Sequence, residues 1–334
     1  MWGLFALGFV IFVFLAILVR IVRFALADAD LTLLSKGGPK RSEVEGKVAW
    51  ITGGSKGIGK ELARQFVGLG AKVIISARNL TDLGNAKTEI LDNYPNAEVE
   101  ILPLDVMADE EILREAVKKA ESFFSGAGVY YMVHNAGDDP PPKRAAEITW
   151  EGALTTIKTN VLGTINLTRL IVPFMIKRGR GHFVVIGSTA GKCPAPSQSV
   201  YSASKFALNG YFHTLRSELI QEGINVTVVC PGPIASKPVA YGNNDAEEPM
   251  QTDRCVHLTI TAATHKLKEV WISNQPVLLV MYLTQYMPML GYWFMDKIGS
   301  NRVEASQGDS NTSLMTMLFG KKEEKTGKSA PLLQ

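Results

Sequence analysis

At 334 residues with a formal net charge of +3, the chain is long enough for one large α/β domain with extensions, or for two domains. That charge is too small for a nucleic-acid surface, and no basic stripe with interleaved aromatics runs through the sequence. Cys193, Cys230 and Cys255 are scattered and odd in number, so they give no disulfide framework; neither they nor the five histidines have metal-ligand spacing.

The first element is apolar almost throughout, from Trp2 to Val19, and is followed by Arg20 and Arg23. About eighteen such residues suffice to cross a bilayer. A cleaved signal peptide is the rival, since Ala25-Leu26-Ala27 resembles a cleavage site. No basic residue precedes the apolar run, however, and two arginines interrupt the approach to that site. We therefore read residues 1–27 as an uncleaved membrane anchor. Arg20, Arg23, Lys36, Lys40 and Arg41 all follow the span, which puts the rest of the chain on the cytosolic side.

Strand-like runs then alternate with helix-length segments. Strands are expected near 47–52, 72–76, 98–104, 129–134, 181–187, 224–229 and 269–272. With no Pro/Gly/Ser-rich linker between them, they predict a single α/β domain over 45–275, a Rossmann-type doubly wound parallel sheet. The first strand runs into a glycine-rich turn carrying Gly53, Ser55, Lys56, Gly57, Ile58 and Gly59, then a segment with helical spacing. Strand, glycine turn and helix is the context a dinucleotide loop needs. The glycines admit the pyrophosphate, and the helix N-terminus offers free N–H groups. The second strand ends at Ser76 without a carboxylate for a ribose hydroxyl, and Arg78 follows. With Lys56 in the loop, two cations and no acid favour a 2′-phosphate and so NADP(H).

Further along, Tyr201 and Lys205 are four residues apart, on one face of a helix, with Ser188 thirteen residues before the tyrosine. A phenol is inert near neutral pH because its pKa is about 10, and a neighbouring ammonium lowers it. The pair predicts a tunable acid/base for carbonyl–alcohol chemistry.

Taken together, these residues resemble the short-chain dehydrogenase/reductase superfamily over roughly residues 45 to 275. The resemblance implies a tetrad of Asn160, Ser188, Tyr201 and Lys205, with Asn160 anchoring a water that connects Lys205 to solvent. It implies that Asp105 holds an adenine ring and that Asn135, Ala136 and Gly137 form the turn after the fourth strand. It also implies that Pro231, Gly232 and Ile234 lie beside the nicotinamide, with Ser236 replacing the usual threonine there. His134 stands where many members have a second asparagine and is read as a strand-end residue without a role. Ala27–Leu34 and Leu267–Leu283 are similar to one membrane-associated branch of that superfamily and its plant members. That branch implies membrane-associated oxidoreductase activity on carbonyls or alcohols, and the endoplasmic reticulum, with the catalytic domain facing the cytosol, is the expected location.

Pocket walls are expected from Asp138–Arg144, which includes three consecutive prolines, from Gly191–Ser199 and from Ala235–Gln251. Nothing in them announces an anionic substrate. An anchor plus the apolar segment 276–296 suggests a lipophilic ketone, aldehyde or alcohol: a steroid, a retinoid or a long-chain keto lipid. A reductase of 3-keto sphingoid bases is the enzymatic rival. A non-catalytic NADP(H)-binding membrane scaffold is the rival of another kind, and the filled tetrad argues against it. Periodicity leaves three readings of 276–296 open: a membrane-interface segment, a lid over the site, or a core-packing helix. The tail 297–334 is polar, and the part after Gly308, with its Lys/Glu cluster, is expected to be disordered. Helices over 155–177 and 201–222, the second with Ala203, Ala207 and Tyr211 in a stripe, predict a two-fold homodimer of the kind the resemblance implies.

Overall fold

The computed structural model describes residues 2–235 and 249–307. Ser236, most of the expected pocket wall 235–251 and the tail beyond Gln307 lie outside the described residues.

Seven strands form one parallel sheet: β1 Val48–Thr52, β2 Lys72–Ser76, β3 Val99–Ile101, β4 Val129–His134, β5 Gly181–Ile186, β6 Ile224–Pro231 and β7 Glu269–Ile272. Their order is β3-β2-β1-β4-β5-β6-β7. Every residue of β1 and β5 is buried. Strands covered on both faces carry continuous apolar runs with no polar alternation, which is why the sequence pattern located them.

The helices in chain order are α1 Trp2–Ala25, α2 Leu31–Leu34, α3 Gly57–Gly68, α4 Leu80–Asn93, α5 Glu110–Gly126, α6 Trp150–Ile157, α7 Thr164–Arg178, α8 Ser199–Leu219, α9 Thr252–Thr264, α10 Val277–Tyr286 and α11 Pro288–Gln307. One core layer joins the sheet to α5, α7 and α8 through Leu113, Val117, Leu167, Ile171, Leu208 and Phe212. The other joins it to α3, α4 and α9 through Leu62, Phe66, Leu83, Ile90, Val256 and Ile260. The chain steps outward from β1 to β3 and then returns to β4, so the strand order reverses between β1 and β4. Ligands of such sheets bind outside the carboxyl ends of the strands at that reversal.

Three elements differ from expectation. β3 ends at Ile101, although Leu102 N–H to Ile75 O and Leu104 N–H to Ala77 O, both 3.0 Å, carry its backbone along β2 as far as Leu104. The helix expected over 155–177 is a rod from α6 to α7 with one wide π turn, Lys158–Gly163, in its middle. The apolar segment 276–296 is a pair of helices. α10 buries Leu278, Met281 and Thr284, while Leu279, Tyr286, Met287, Met289, Tyr292 and Trp293 stay exposed.

α1 is exposed over nearly all of its described residues, with Phe24 at its foot half-buried against the core. The apolar stretch Trp150–Arg178 is as long, but half of it is buried against the sheet as a core helix. Immediately after α1, Asp28–Asp30 runs antiparallel beside β7. Asp30 N–H donates to Trp271 O and Ser273 N–H to Asp28 O, each at 2.9 Å.

Candidate active site

The glycine turn is held by its neighbours' main chains. Gly53 and Gly57 have left-handed φ values of +67° and +53°. A Cβ on Gly59 would lie 2.1 Å from Gly53 O and 2.6 Å from Asn135 Nδ2, so only glycine lets α3 start this close to β1. Asn135 Nδ2 donates to Thr52 O at 3.0 Å and to Gly53 O at 3.2 Å. Thr52 Oγ1 accepts from the N–H groups of Asn135 and Ala136, both at 3.1 Å, and donates to Val133 O. Thr52 and Asn135 thus tie the turn to the end of β4. Asn135 faces the loop backbone here, and Thr52, which opens the glycine motif, joins it as a site residue.

A cavity opens above this knot. Gly53, Ser55, Lys56, Arg78, Asp105, Ala136 and Gly137, all expected at the cofactor site, line it together, with Thr159 and Met107 opposite. Lys56 and Arg78 are exposed, and no ion pair among the described residues engages either. Ser76 is buried at the end of β2, where its hydroxyl accepts from Trp50 Nε1 at 2.8 Å. Asp105 accepts from Met107 N–H at 2.9 Å, which fixes its carboxylate in the turn after the β3 ladder. Gly57, Ile58 and Gly59 form the first turn of α3, directly under the loop. A Gly-shaped cradle, a helix N-terminus and two free cations fit a dinucleotide with a 2′-phosphate.

The second half of the site is built from side chains. Ser188 follows β5 and caps the short turn Thr189–Gly191, accepting from Ala190 N–H at 3.1 Å. Its hydroxyl hydrogen-bonds the Tyr201 phenol, and that bond favours the phenolate. Lys205, one turn further along α8, is 6% exposed. Its Nζ donates to Ile186 O at 3.0 Å and stands 5.5 Å from the centre of the Tyr201 ring.

Burial dominates the titration of both members of the pair in the ligand-free protein. Burial pushes the phenol up to about 12, Asp139 adds to the rise, and Ser188 alone opposes it. Burial lowers Lys205 to about 8, against the pull of Asp139 and Cys230. The Lys205 ammonium is engaged by a backbone carbonyl, with the Tyr201 ring beside it.

Asn160 sits within the π turn, where the extra residue per turn aims its side chain at the rim of the sheet. Such turns recur at functional sites. Its Oδ1 accepts from Asp138 N–H at 2.6 Å, and its Nδ2 donates to Asp138 O and to Ser204 Oγ, both at 2.9 Å. Ser204 Oγ in turn donates to Tyr201 O at 2.7 Å, which links the turn to the first turn of α8. Asn160 and Lys205 flank Gly137: a Cβ there would lie 3.3 Å from Asn160 Oδ1 and 3.8 Å from Lys205 Nζ. All four tetrad positions therefore converge beside the loop that closes the cofactor cavity.

Pro231 and Gly232 end β6 beside them. Ile234 bridges to Met250, with Ala235 N–H to Met250 O and Met250 N–H to Pro233 O at 3.0 Å. His134 is buried and neutral, its ring held near 3 by burial, bonded to Thr168 and stacked on Phe183. It is a core residue, as expected.

The two described pocket walls meet over the site. Lys143 N–H donates to Ser197 O at 2.8 Å, and Gln198 Nε2 reaches Asp139 Oδ1 at 3.5 Å. The loop after Ser188 is anchored by Glu269, which accepts from Lys192 Nζ at 2.7 Å, His213 Nε2 at 2.5 Å and Trp271 Nε1 at 2.6 Å. Arg216 donates to His213 Nδ1 at 2.8 Å, which leaves the proton on Nε2 for Glu269. Burial works to raise the Glu269 carboxyl, but those three donors hold it at about 2. No spacing in the sequence marks Glu269 or Lys192, because the network joins three separate places in the chain: the turn after β5, α8 and β7.

Comparison with known proteins gives a consistent result. A family model described as short chain dehydrogenase matches residues 47–247. Human dehydrogenase/reductase SDR family member 7 is 37% identical over 318 residues, covering 91% of this chain and 93% of the relative. A very-long-chain 3-oxoacyl-CoA reductase from Aspergillus terreus is 30% identical and covers 68% of this chain and 63% of the relative. Among solved structures, a metagenomic short-chain oxidoreductase in complex with NADP superposes with a TM-score of 0.58 at 26% identity. It covers 69% of this chain and 97% of that one.

Proposed function

This chain belongs to the short chain dehydrogenase family and is an oxidoreductase of that family, and we propose that it interconverts a lipophilic carbonyl compound and its alcohol with NADP(H) while anchored in a membrane by α1. The observation that carries the reading is the convergence of Ser188, Tyr201 and Lys205 beside Gly137 at the mouth of a glycine-lined cavity. The NADP-bound relative and the exposed pair Lys56 and Arg78 support NADP(H) as the cofactor.

Gly53, Ser55 and Gly57–Gly59 would cradle the pyrophosphate, Asp105 the adenine end, and Lys56 and Arg78 the 2′-phosphate. Ala136, Gly137, Pro231, Gly232, Ile234 and Ser236 would border the nicotinamide, and Tyr201 and Lys205 its ribose. The dinucleotide supplies or accepts the hydride. The remaining work falls to the chain. Ser188 and Tyr201 donate hydrogen bonds to the carbonyl oxygen as negative charge builds on it. Tyr201, a phenol and so protonated at neutral pH, gives up its proton to that oxygen. In the alcohol direction it takes the proton back. Asn160, set in its π turn, would hold the water through which Lys205 exchanges protons with solvent.

The domain boundaries follow the same reading: an anchor over 1–27, the catalytic domain over 45–275, an apolar extension over 276–296 and a polar tail over 297–334. Endoplasmic reticulum membrane, with the catalytic domain in the cytosol, is the location this supports. The relative named for a long-chain 3-oxoacyl substrate supports a carbonyl carried on a lipid chain, and a 3-keto sphingoid base reductase is the enzymatic alternative. A homodimer is also proposed. Of the expected stripe on α8, Ala203 and Ala207 are exposed, as are Phe206 and Gly210 beside them, whereas Tyr211 is half-buried against the core. A two-fold contact would bury the exposed residues against their own copies.

The decisive experiment is NADPH consumption by the detergent-solubilised full-length protein against steroid, retinoid and long-chain keto substrates, beside Tyr201→Phe. Turnover that needs Tyr201 supports the enzyme. Tight NADPH binding with no turnover on any of them would favour the scaffold.

A further inference from the structure

We infer that the α10–α11 hairpin lies in the lipid–water interface beside the foot of α1, so that the pocket wall Gly191–Ser199 faces the bilayer and a membrane-dissolved substrate reaches the site from the lipid side. The inference rests on the reading of α1 as an anchor. It adds a second membrane contact and a direction of substrate entry.

The argument starts from a short tether. Arg20 is the first charge after the apolar run, so it marks the edge of the hydrocarbon. From Arg20 to Ala25 the helix rises only about 8 Å, within the headgroup layer. Leu26 alone then separates α1 from the segment Ala27–Asp30, and Asp28–Asp30 is fastened to β7. The β7 edge therefore cannot retreat from the membrane surface by more than a few residues' length.

The hairpin is fastened to that same point. Gln275 Nε2 donates to Phe24 O at 2.8 Å. Tyr282 packs edge-on against Phe24, with ring centres 5.2 Å apart, and donates to Asp30 Oδ1 at 2.7 Å. Trp271, Tyr282 and Tyr286 continue as one aromatic cluster from the foot of α1 onto α10.

What the hairpin then exposes is apolar. No charged residue or histidine occurs between Glu269 and Asp296. Met289 is 85% exposed, Tyr286 73%, Met287 54%, Trp293 52% and Tyr292 49%. Tyrosine and tryptophan, with an apolar body and a polar tip, settle at headgroup depth, and apolar side chains such as methionine bury at the acyl boundary beside them. Continuity with the membrane span picks the bilayer as the occupant of this face over a second copy of the chain.

On its other side the hairpin touches the catalytic machinery. Gln285 Nε2 donates to Lys192 O at 2.6 Å, four residues after Ser188. Gly299 lies against Pro196, its Cβ direction 3.6 Å from the ring. The wall of the substrate pocket is thus the next layer behind a lipid-facing surface.

The test uses the full-length protein in phosphatidylcholine vesicles whose acyl chains carry bromine. Single cysteines are placed by Met289→Cys on the hairpin, Leu15→Cys in α1 and Asp92→Cys on α4 at the far edge of the sheet, and each is labelled with a fluorophore. The native cysteines are buried and label poorly. Quenching at positions 15 and 289 with none at 92 is the expected result. Quenching at 15 alone leaves the anchor standing and overturns the interfacial hairpin. Quenching at neither overturns both, and cross-linking of Met289→Cys between copies without quenching assigns the face to a dimer instead. For the entry route, the triple variant Met287→Ser, Met289→Gln, Trp293→Gln is assayed on two ketones. KM for a membrane-partitioned ketone rises by about tenfold as apolar interfacial area is lost, with KM and kcat for a water-soluble ketone unchanged. Equal KM values for both ketones in wild type and variant would overturn entry from the lipid side.

Discussion

The glycine-loop rim between β1 and β2 and the catalytic rim beyond β5 lie on the same end of one sheet, yet they are made by different means. At the first, main-chain atoms do the shaping: Gly59 lets Gly53 O approach, and Thr52 and Asn135 lock that approach with five hydrogen bonds to or from backbone groups. At the second, side chains on rigid elements converge, and their protonation is set by burial. A binding surface for a large, polar and invariant ligand is thereby separated from a proton-transfer site that depends on single atoms. Substitutions should fail differently at the two rims.

The largest effect is expected at the side-chain rim. Tyr201→Phe removes one proton and almost no volume, and turnover should fall by about 10²–10⁴-fold with NADPH affinity nearly intact. Stopped-flow or steady-state turnover together with cofactor titration checks this. Activity within a few-fold of wild type would remove Tyr201 from the mechanism.

At the main-chain rim the effect is on binding and folding together. Gly59→Ala forces a methyl against Gly53 O, at a cost of about 1–3 kcal/mol typical of overpacking. Thermal unfolding should shift down, and NADPH and NADH should weaken alike. An unshifted melting temperature would show that the loop yields.

Arg78→Ala sharpens the comparison, because at Lys56 and Arg78 the first rim relies on side-chain charge. The preference for NADPH over NADH should drop by about tenfold, the modest value reflecting an exposed cation. Equal loss for both cofactors in isothermal titration would make Arg78 structural.

A smaller effect concerns the pH profile of the second rim. Ser188 is the group that holds the phenol down against burial. Alcohol oxidation, which needs the base form, should rise with pH, and Ser188→Ala should move that rise to higher pH as well as lower its height. A profile displaced toward acid would contradict the role given to Ser188.

The smallest effect is on stability. Glu269 has its carboxyl held at about 2, below its ordinary value of 4.5. The native state therefore binds fewer protons than the unfolded chain between those values. Its contribution is fully present above about pH 4.5 and is lost as pH falls toward 2. Glu269→Gln should lower the melting temperature at pH 7 by a few degrees, and the gap should narrow across that acid window.

Much of the first rim was legible in the sequence. The apolar runs of buried parallel strands and the glycines of a tight turn are local signals, and the positions of β1, β2 and β4 follow them closely. Tyr201 and Lys205 were equally plain, since helical spacing of four residues is local too. What was not legible depends on contacts between distant segments. Thr52 opens the glycine motif, yet its partner Asn135 arrives from 83 residues away. The π turn around Asn160 has no compositional mark. The raised phenol of Tyr201 reflects how deeply it is buried, and that is a property of the assembled walls. The segment 276–296 was read three ways because its periodicity could not report that α10 has one face on the body of the fold and another left open.

The strip Asp28–Asp30 also has a consequence for solubility. β7 is the last strand of the sheet, and its outer backbone groups would otherwise offer a template for another chain. Hydrogen bonds from Asp30 N–H and to Asp28 O occupy that template, and Asp30 Oδ2 covers Trp271 N–H at 2.6 Å as well. Arg254 pins the strip from α9 through Asp28, with Nε 2.8 Å from Oδ2. A shortened protein that begins at Asp28 keeps its sheet edge closed, whereas one that begins a few residues later presents an open, apolar strand to every neighbouring copy.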